Sequence, residues 1–166
     1  MNMFKRLLSH LLHPFWWVRH CMTRKGLDDI AAAIKQAETG NRGEIAVAIE
    51  PALGVLSLLK NQTARDRALE VFSLKRLWDT QENNGVLIYV LLADRAVEIV
   101  ADRGFSNCVS QEWFQNVTSE MEASFANRDY HGGVIRGVRH LGQILTQQFP
   151  GEDLHGDELP NQPFVL

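Results

Sequence analysis

The amino-acid sequence predicts an α/β fold, a three-layer α/β/α sandwich with a central mixed sheet, on three observations. Residues 86–92 read Val-Leu-Ile-Tyr-Val-Leu-Leu, a nearly continuous apolar run that suits a strand buried on both faces. In 44–50, Ile45, Val47 and Ile49 alternate with smaller or polar residues, the period of a strand. Around these runs, apolar residues recur at three- and four-residue spacing, which supplies helices to cover a sheet on both sides.

Taken in order, a helix is predicted over 27–38, with Leu27, Ile30, Ile34 and Ala37 on one face. Thr39, Gly40 and Asn41 end it with residues that tolerate turn conformations. The 44–50 strand follows and stops at Pro51. The stretch 52–62 fits either a short helix or a buried loop. Thr63, with Asp66 three residues on, then opens a helix that turns Ala64, Ala68, Val71 and Phe72 inward and ends near Leu77. After the 85–92 strand, Ala93, Asp94 and Arg95 make a tight turn into a third strand over 97–100. A helix starts after Ser110 and carries Trp113, Val117, Met121 and Phe125 at a spacing of four. The last begins near Asp129, carries Val134, Val138, Leu141, Leu145 and Phe149, and ends at Pro150. A helical crossover joins the first two strands, which makes them parallel, and the third returns antiparallel through its turn.

The chain has 166 residues, 45% hydrophobic and 22% charged, which fits one domain with one sizeable core rather than a disordered segment. A net charge of −3 excludes an overall basic nucleic-acid binder, and no nucleic-acid partner is expected. Cys21 and Cys108 lie in no CxxC or Cys/His cluster, which removes zinc and redox readings and suits a reducing, cytoplasmic compartment.

Three regions follow: a basic amphipathic arm over 1–25, the α/β domain over 26–150, and an acidic, proline-containing tail over 151–166. The arm holds Lys5, Arg6, Arg19, Arg24 and Lys25 and no acidic residue. Its uncharged stretch 7–18 falls short of the roughly 20 residues a membrane span needs, and no A-x-A-like cleavage site follows. Leu7, Leu8, Leu11, Leu12 and Phe15 recur at helical spacing, and Phe15, Trp16 and Trp17 form an aromatic cluster. The arm therefore packs on its own domain or docks, peripherally, to a protein partner or to an anionic membrane surface at its inner face.

The topology brings separated polar residues to one rim of the sheet. Glu44 starts the first strand, Asn83 and Asn84 precede the second with Asp79 and Glu82 nearby, and Asp102 ends the antiparallel third strand at the same edge. Carboxylates and amide oxygens are what a hard divalent cation such as Ca²⁺ prefers, so Glu44, Asn83, Asn84 and Asp102 are the candidate metal ligands. Arg103, in the loop leading into the next helix, offers a group for phosphate or carboxylate. Plainer readings stand beside these. Asn83-Asn84-Gly85 is a common turn sequence, Asp79 suits a helix end, and Glu44 could pair with Arg42 or Arg103. Asp94 and Arg95 belong to the turn at the opposite edge. No histidine has a Ser or Cys nucleophile beside it, so a catalytic triad has no support. Gly132, Gly133 and Gly137 let the last helix approach the sheet, without the spacing of a phosphate-binding loop.

Gly43-Glu44-Ile45, Asn83-Asn84-Gly85-Val86-Leu87-Ile88, Asp94-Arg95 and Asp102-Arg103-Gly104 recur in an order that, with Met121, Phe125, Tyr130, Gly132-Gly133, Phe149-Pro150 and Glu158-Leu159-Pro160, resembles the TPM domain family over about 27–160. The layout is similar to short bacterial members that lack an export signal and membrane anchor. The resemblance implies a three-layer α/β/α fold. It also implies two functions: calcium binding in a cleft, as in some members, or acid phosphatase activity, as assigned to a plant thylakoid relative linked to photosystem II repair. Glu44 and Asn83-Asn84 sit where the family motif has its polar residues. Exported members often have Gly-x-Gly where this chain has Asp102-Arg103-Gly104, so the resemblance does not carry a metal role for Asp102. The expectation is a cation-binding interaction or assembly module, with a metal-assisted phosphatase as the alternative.

Overall fold

The computed structural model describes residues 3–12, 18, 21–106, 108–151, 156 and 158–166. The aromatic cluster Phe15, Trp16 and Trp17 and the tail acids Glu152, Asp153 and Asp157 lie outside the described residues. The elements run α1 (Met3–Leu12), α2 (Arg24–Glu38), β1 (Glu44–Glu50), α3 (Val55–Leu59), α4 (Ala64–Leu74), β2 (Gly85–Leu91), β3 (Ala96–Ala101), a 3₁₀ turn (Arg103–Phe105), α5 (Gln111–Ala126), α6 (Tyr130–Gln148) and β4 (Phe164–Val165).

Side-chain caps set most helix starts. The Thr23 hydroxyl accepts the Gly26 N–H, so α2 begins three residues before the apolar pattern suggests. Thr63 and Asp66 form the expected capping box on α4. Ser110 and Asp129 accept the N–H groups of Trp113 and Gly132 at the starts of α5 and α6. The ambiguous stretch after Pro51 resolves as the single short turn of α3, and α4 ends at Leu74 rather than Leu77.

The sheet has the order β3-β2-β1-β4. β1 and β2 are parallel with Glu44 opposite Gly85 and Glu50 opposite Leu91, and β3 is antiparallel to β2. All seven residues of both β1 and β2 are buried, as the apolar run requires. One face packs on α2, α5 and α6 through Ile34, Ile45, Ile88, Phe125 and Val138, and the other on α4 through Ala46, Ala68, Val71 and Leu87. Each of the valine, leucine, isoleucine and phenylalanine side chains among them contributes about 1.5–3 kcal/mol on burial.

Two features differ from the sequence reading. Residues 158–166, read as tail, return to the sheet: Phe164 and Val165 pair in parallel with Ala48 and Ile49 as a fourth strand, and the Lys75 ammonium lies 4.6 Å from the centre of the Phe164 ring. Two residues are too short a run to show strand periodicity. The glycines of α6 receive helices rather than the sheet. A Cβ on Gly137 would fall 2.3 Å from Met121 Sδ of α5, and one on Gly142 would fall 2.7 Å from Ala37 Cβ of α2.

At the outer edge, β3 is guarded by side chains. Glu122 of α5 accepts the Val97 N–H, and Arg65 of α4 donates to the Ile99 carbonyl at 2.6 Å. Edge groups occupied in this way are closed to pairing with another strand.

Candidate functional site

The amino ends of β1 and β2 and the end of β3 form the rim at which Glu44, Asn83, Asn84 and Asp102 gather. Glu44 N–H donates to the Asn84 carbonyl, Asp102 N–H donates to the Gly85 carbonyl at 2.9 Å, and Gly104 N–H donates to the Asn83 carbonyl at 2.9 Å. Three chain segments are thus tied within one hydrogen-bond step of each other. Gly85 and Gly104 make this possible: a Cβ on Gly85 would lie 2.1 Å from the Leu77 carbonyl oxygen, and one on Gly104 would lie 2.5 Å from that of Asn83. Asn83 takes φ +54, a left-handed conformation that asparagine tolerates.

The four side chains divide by what holds them. Glu44 is buried, and its Oε2 accepts the Leu159 N–H at 3.1 Å, fastening the returning C-terminal segment. Asn83 Oδ1 accepts from Arg103 Nε at 2.7 Å. Asn84 is 1% exposed; its amide nitrogen donates to the Arg42 carbonyl, while its Oδ1 meets no donor. Asp102 Oδ1 accepts the Arg103 N–H at 2.7 Å as the cap of the 3₁₀ turn, and its Oδ2 is shielded from solvent without a donor. Asp102 lines an open cleft of about 310 Å³ with Arg65, Ser106 and Gln111, at the β3 edge between α4 and α5.

Neighbouring polar residues have structural duties. Arg42 reaches Glu82 at 2.5 Å, and Asp79 pairs with Arg76 on the surface. Glu158 Oε1 and Oε2 both lie 3.3 Å from the Gln81 N–H, a second fastening of the C-terminal segment at this rim. Among the described residues, no group of three or more His, Cys, Asp or Glu side chains is gathered as a metal site. An oxygen site here would draw on asparagine amides as well. Burial pushes the Cys21 thiol up to about 11, away from a nucleophilic thiolate, and Cys108 Sγ lies 3.4 Å from the Gly104 carbonyl.

Sequence reasoning missed two arrangements at the opposite end of the sheet. His10, read only as part of the arm, is buried, with Nε2 3.0 Å from Asp94 Oδ1 and Nδ1 accepting the Leu53 N–H at 2.9 Å. Since Nδ1 accepts, Nε2 carries the proton and donates to Asp94. Arg6 also binds Asp94, so this turn aspartate anchors α1. Burial raises the Asp94 carboxyl, but the hydrogen bonds from His10 and Arg6 outweigh it and hold it below the usual aspartate value. Nearby, Glu50 accepts from Tyr89 Oη at 2.7 Å and from Arg67 Nε at 2.9 Å and its terminal nitrogen at 3.2 Å. Burial, then the Glu50 carboxylate, pushes the Tyr89 hydroxyl far up, so it stays a donor. A tyrosine inside an apolar run and a glutamate closing a buried strand were the available signals.

A profile of the TPM domain matches residues 19–144 of the chain. Among curated proteins nothing matches. The solved structures include the BA42 protein of the psychrophilic bacterium Bizionia argentinensis, 29% identical, with a TM-score of 0.75 over 87% of this chain and 95% of that one. The N-terminal domain of a P. gingivalis protein, 17% identical, superposes with a TM-score of 0.65 over 81% of this chain and 83% of that one. The N-terminal domain of the cg2496 protein of Corynebacterium glutamicum, 9% identical, gives 0.56 over 83% of each, and these last two speak for the fold alone. With the profile covering most of the sheet and its helices, and the same architecture in solved proteins, this chain belongs to the TPM domain family.

Proposed function

We propose that this TPM domain is a binding and assembly module whose polar rim takes a hard divalent cation, Ca²⁺ in the first place. The observation that carries the reading is Asp102: one carboxylate oxygen caps the 3₁₀ turn, while the other is shielded, lacks a donor and belongs to a residue lining the β3-edge cleft. A shielded carboxylate oxygen without a donor costs desolvation free energy that a cation would recover. The donorless Asn84 Oδ1 is a second hard oxygen at the same rim. Neither oxygen has a protein donor to give up. Asn83 Oδ1 is held by Arg103 and Glu44 Oε2 by Leu159 N–H, so they would join only by giving up those partners. Asp102 and Asn84 would hold the ion, and bound there it would supply positive charge for an anionic group of a partner protein.

The alternative is a metal-assisted phosphatase at the same place, with Asp102 positioning water and the cation offsetting phosphate charge. One titration addresses both. Amide chemical shifts of wild type and Asp102→Asn are followed against CaCl₂, with p-nitrophenyl phosphate hydrolysis assayed at acid and neutral pH in the same buffers. The module reading expects saturable shifts at Asn84, Asp102 and Arg103 with an affinity near the millimolar range of extracellular-type sites, at least about tenfold weaker in the variant, and no turnover. Turnover lost in Asp102→Asn makes the domain an enzyme. Shifts that are absent, or identical in the variant, remove the rim as a cation site.

A further inference from the structure

We propose that α1 and α3 together form a docking face for an anionic lipid bilayer. Of the leucines in α1 only Leu7 packs against the core; the rest of its inward face is polar, the reverse of the sense expected for a helix resting on a soluble domain. Its polar residues point inward: Arg6 and His10 bind Asp94, and the Ser9 hydroxyl donates to the Ala93 carbonyl at 2.9 Å. Its leucines Leu8, Leu11 and Leu12 point outward and are 49%, 61% and 66% exposed, with Lys5 beside them.

α3 extends the same surface. The Leu53 N–H donates to His10, and Arg6 donates to the Gln62 carbonyl at 2.9 Å, so α1 lies along the 53–62 segment in the opposite direction. In α3 only Leu58 turns into the core, leaving Val55, Leu56 and Leu59 at 47%, 74% and 60% exposure, followed by the exposed Lys60. Six large aliphatic side chains on two neighbouring helices make a patch of the kind that marks a contact surface.

Charge selects the occupant. The chain is acidic overall at −3, yet its first 27 residues hold Lys5, Arg6, Arg19, Arg24 and Lys25 and no acid. Arg6 is engaged by Asp94, and Arg24 and Lys25 open α2 on the other face of the sheet, so the charge at the patch itself is that of Lys5 and Lys60, whose stems can lie along the leucines and keep their ammonium groups at headgroup level. A second copy on the same face would bring Lys5 and Lys60 against like charges. Among the described residues no helix is long and apolar enough to cross a membrane, so the contact is peripheral.

The test uses the full chain, with a chelator present so that cation bridging plays no part. Co-sedimentation is measured with vesicles of equal parts phosphatidylglycerol and phosphatidylcholine, and with phosphatidylcholine alone. Wild type is expected to bind the anionic vesicles, to release at high salt and to ignore the neutral ones. Leu8→Asp and Leu56→Asp are each expected to weaken binding by about tenfold or more, while Leu69→Asp, an exposed leucine on α4, leaves it unchanged. Circular dichroism melts confirm that these surface variants fold. Leu56 is remote in sequence from the arm, so its effect separates this face from insertion of the arm alone. The proposal is overturned if wild type binds neither vesicle, if all three variants bind alike, or if the same variants instead abolish a concentration-dependent dimer, which would make a second copy the occupant.

Discussion

At the carboxyl ends of β1 and β2, the Glu50 carboxylate receives Tyr89 and a two-pronged Arg67, and His10 has both ring nitrogens engaged. At their amino ends, Asn84 and Asp102 each keep one shielded oxygen without a donor. The same sheet therefore carries one end in which buried polarity is closed by side chains from other elements, and one in which it is left incomplete. Closed networks hold a fold in register, whereas donorless oxygens cost stability and suit a ligand. The difference places the anchor of α1 and α4 at one end and the candidate site at the other.

The contrast breaks most visibly if the closed end proves dispensable. Glu50→Ala should cost about 2–3 kcal/mol in denaturant unfolding, because it leaves the fully buried Tyr89 hydroxyl without its acceptor and takes from the partly buried Arg67 one of its two carboxylate partners, Glu70 remaining. Replacing the pair with Glu50→Leu and Arg67→Met should recover much of that loss, and a double variant as unstable as the single would mean that packing, not charge, dominates there. Gly85→Ala should cost about 2–3 kcal/mol, since the new Cβ meets a backbone carbonyl that cannot move alone. His10→Ala should cost about 1–3 kcal/mol by leaving the Leu53 N–H and Asp94 short of partners. Hydrogen exchange should then rise in α1 before the rest of the molecule.

Acid sharpens the same comparison. Asp94 ionises below its usual value when folded, so its contribution is complete above about pH 4, the ordinary aspartate value, and is lost as pH falls through the folded value. Asp129 behaves alike, held down first by Arg136. Unfolding free energy measured below pH 4 should fall less steeply in Asp94→Asn than in wild type. The smallest effect belongs to the open end: Asp102→Asn keeps the oxygen that caps Arg103 and should shift stability by about 0.5 kcal/mol or less without added cation.

Much of the architecture was legible from residue patterns because it rests on them. The apolar run of β2, the alternation in β1 and the Thr63–Asp66 box each act over a few residues, and each appears where the pattern places it. The rim was legible as a location, since strand direction alone carries Glu44, Asn84 and Asp102 to one edge. Its chemistry was not. Whether Glu44 faces a cation or the Leu159 N–H depends on a partner 115 positions away, and no local pattern reports that. His10 and Asp94, 84 positions apart, were hidden for the same reason, and β4 is too short to have any periodicity at all.

The return of the C-terminal segment to β1 also bears on how fast the molecule forms. β1 finds β2 across the connection that carries α3 and α4, but its other neighbour arrives only after β2, β3, α5 and α6 have been laid down. Closing so long a loop is entropically expensive and repaid by a short run: two paired residues, the Glu44–Leu159 and Gln81–Glu158 bonds, the Lys75–Phe164 contact and the burial of Leu159. Docking of β4 is therefore expected as a late step, after the three-stranded body has condensed. Until it occurs, the outer edge of a strand whose every residue is buried in the finished fold stands open to other chains. The interval between those two events is when this molecule is most exposed to misassembly.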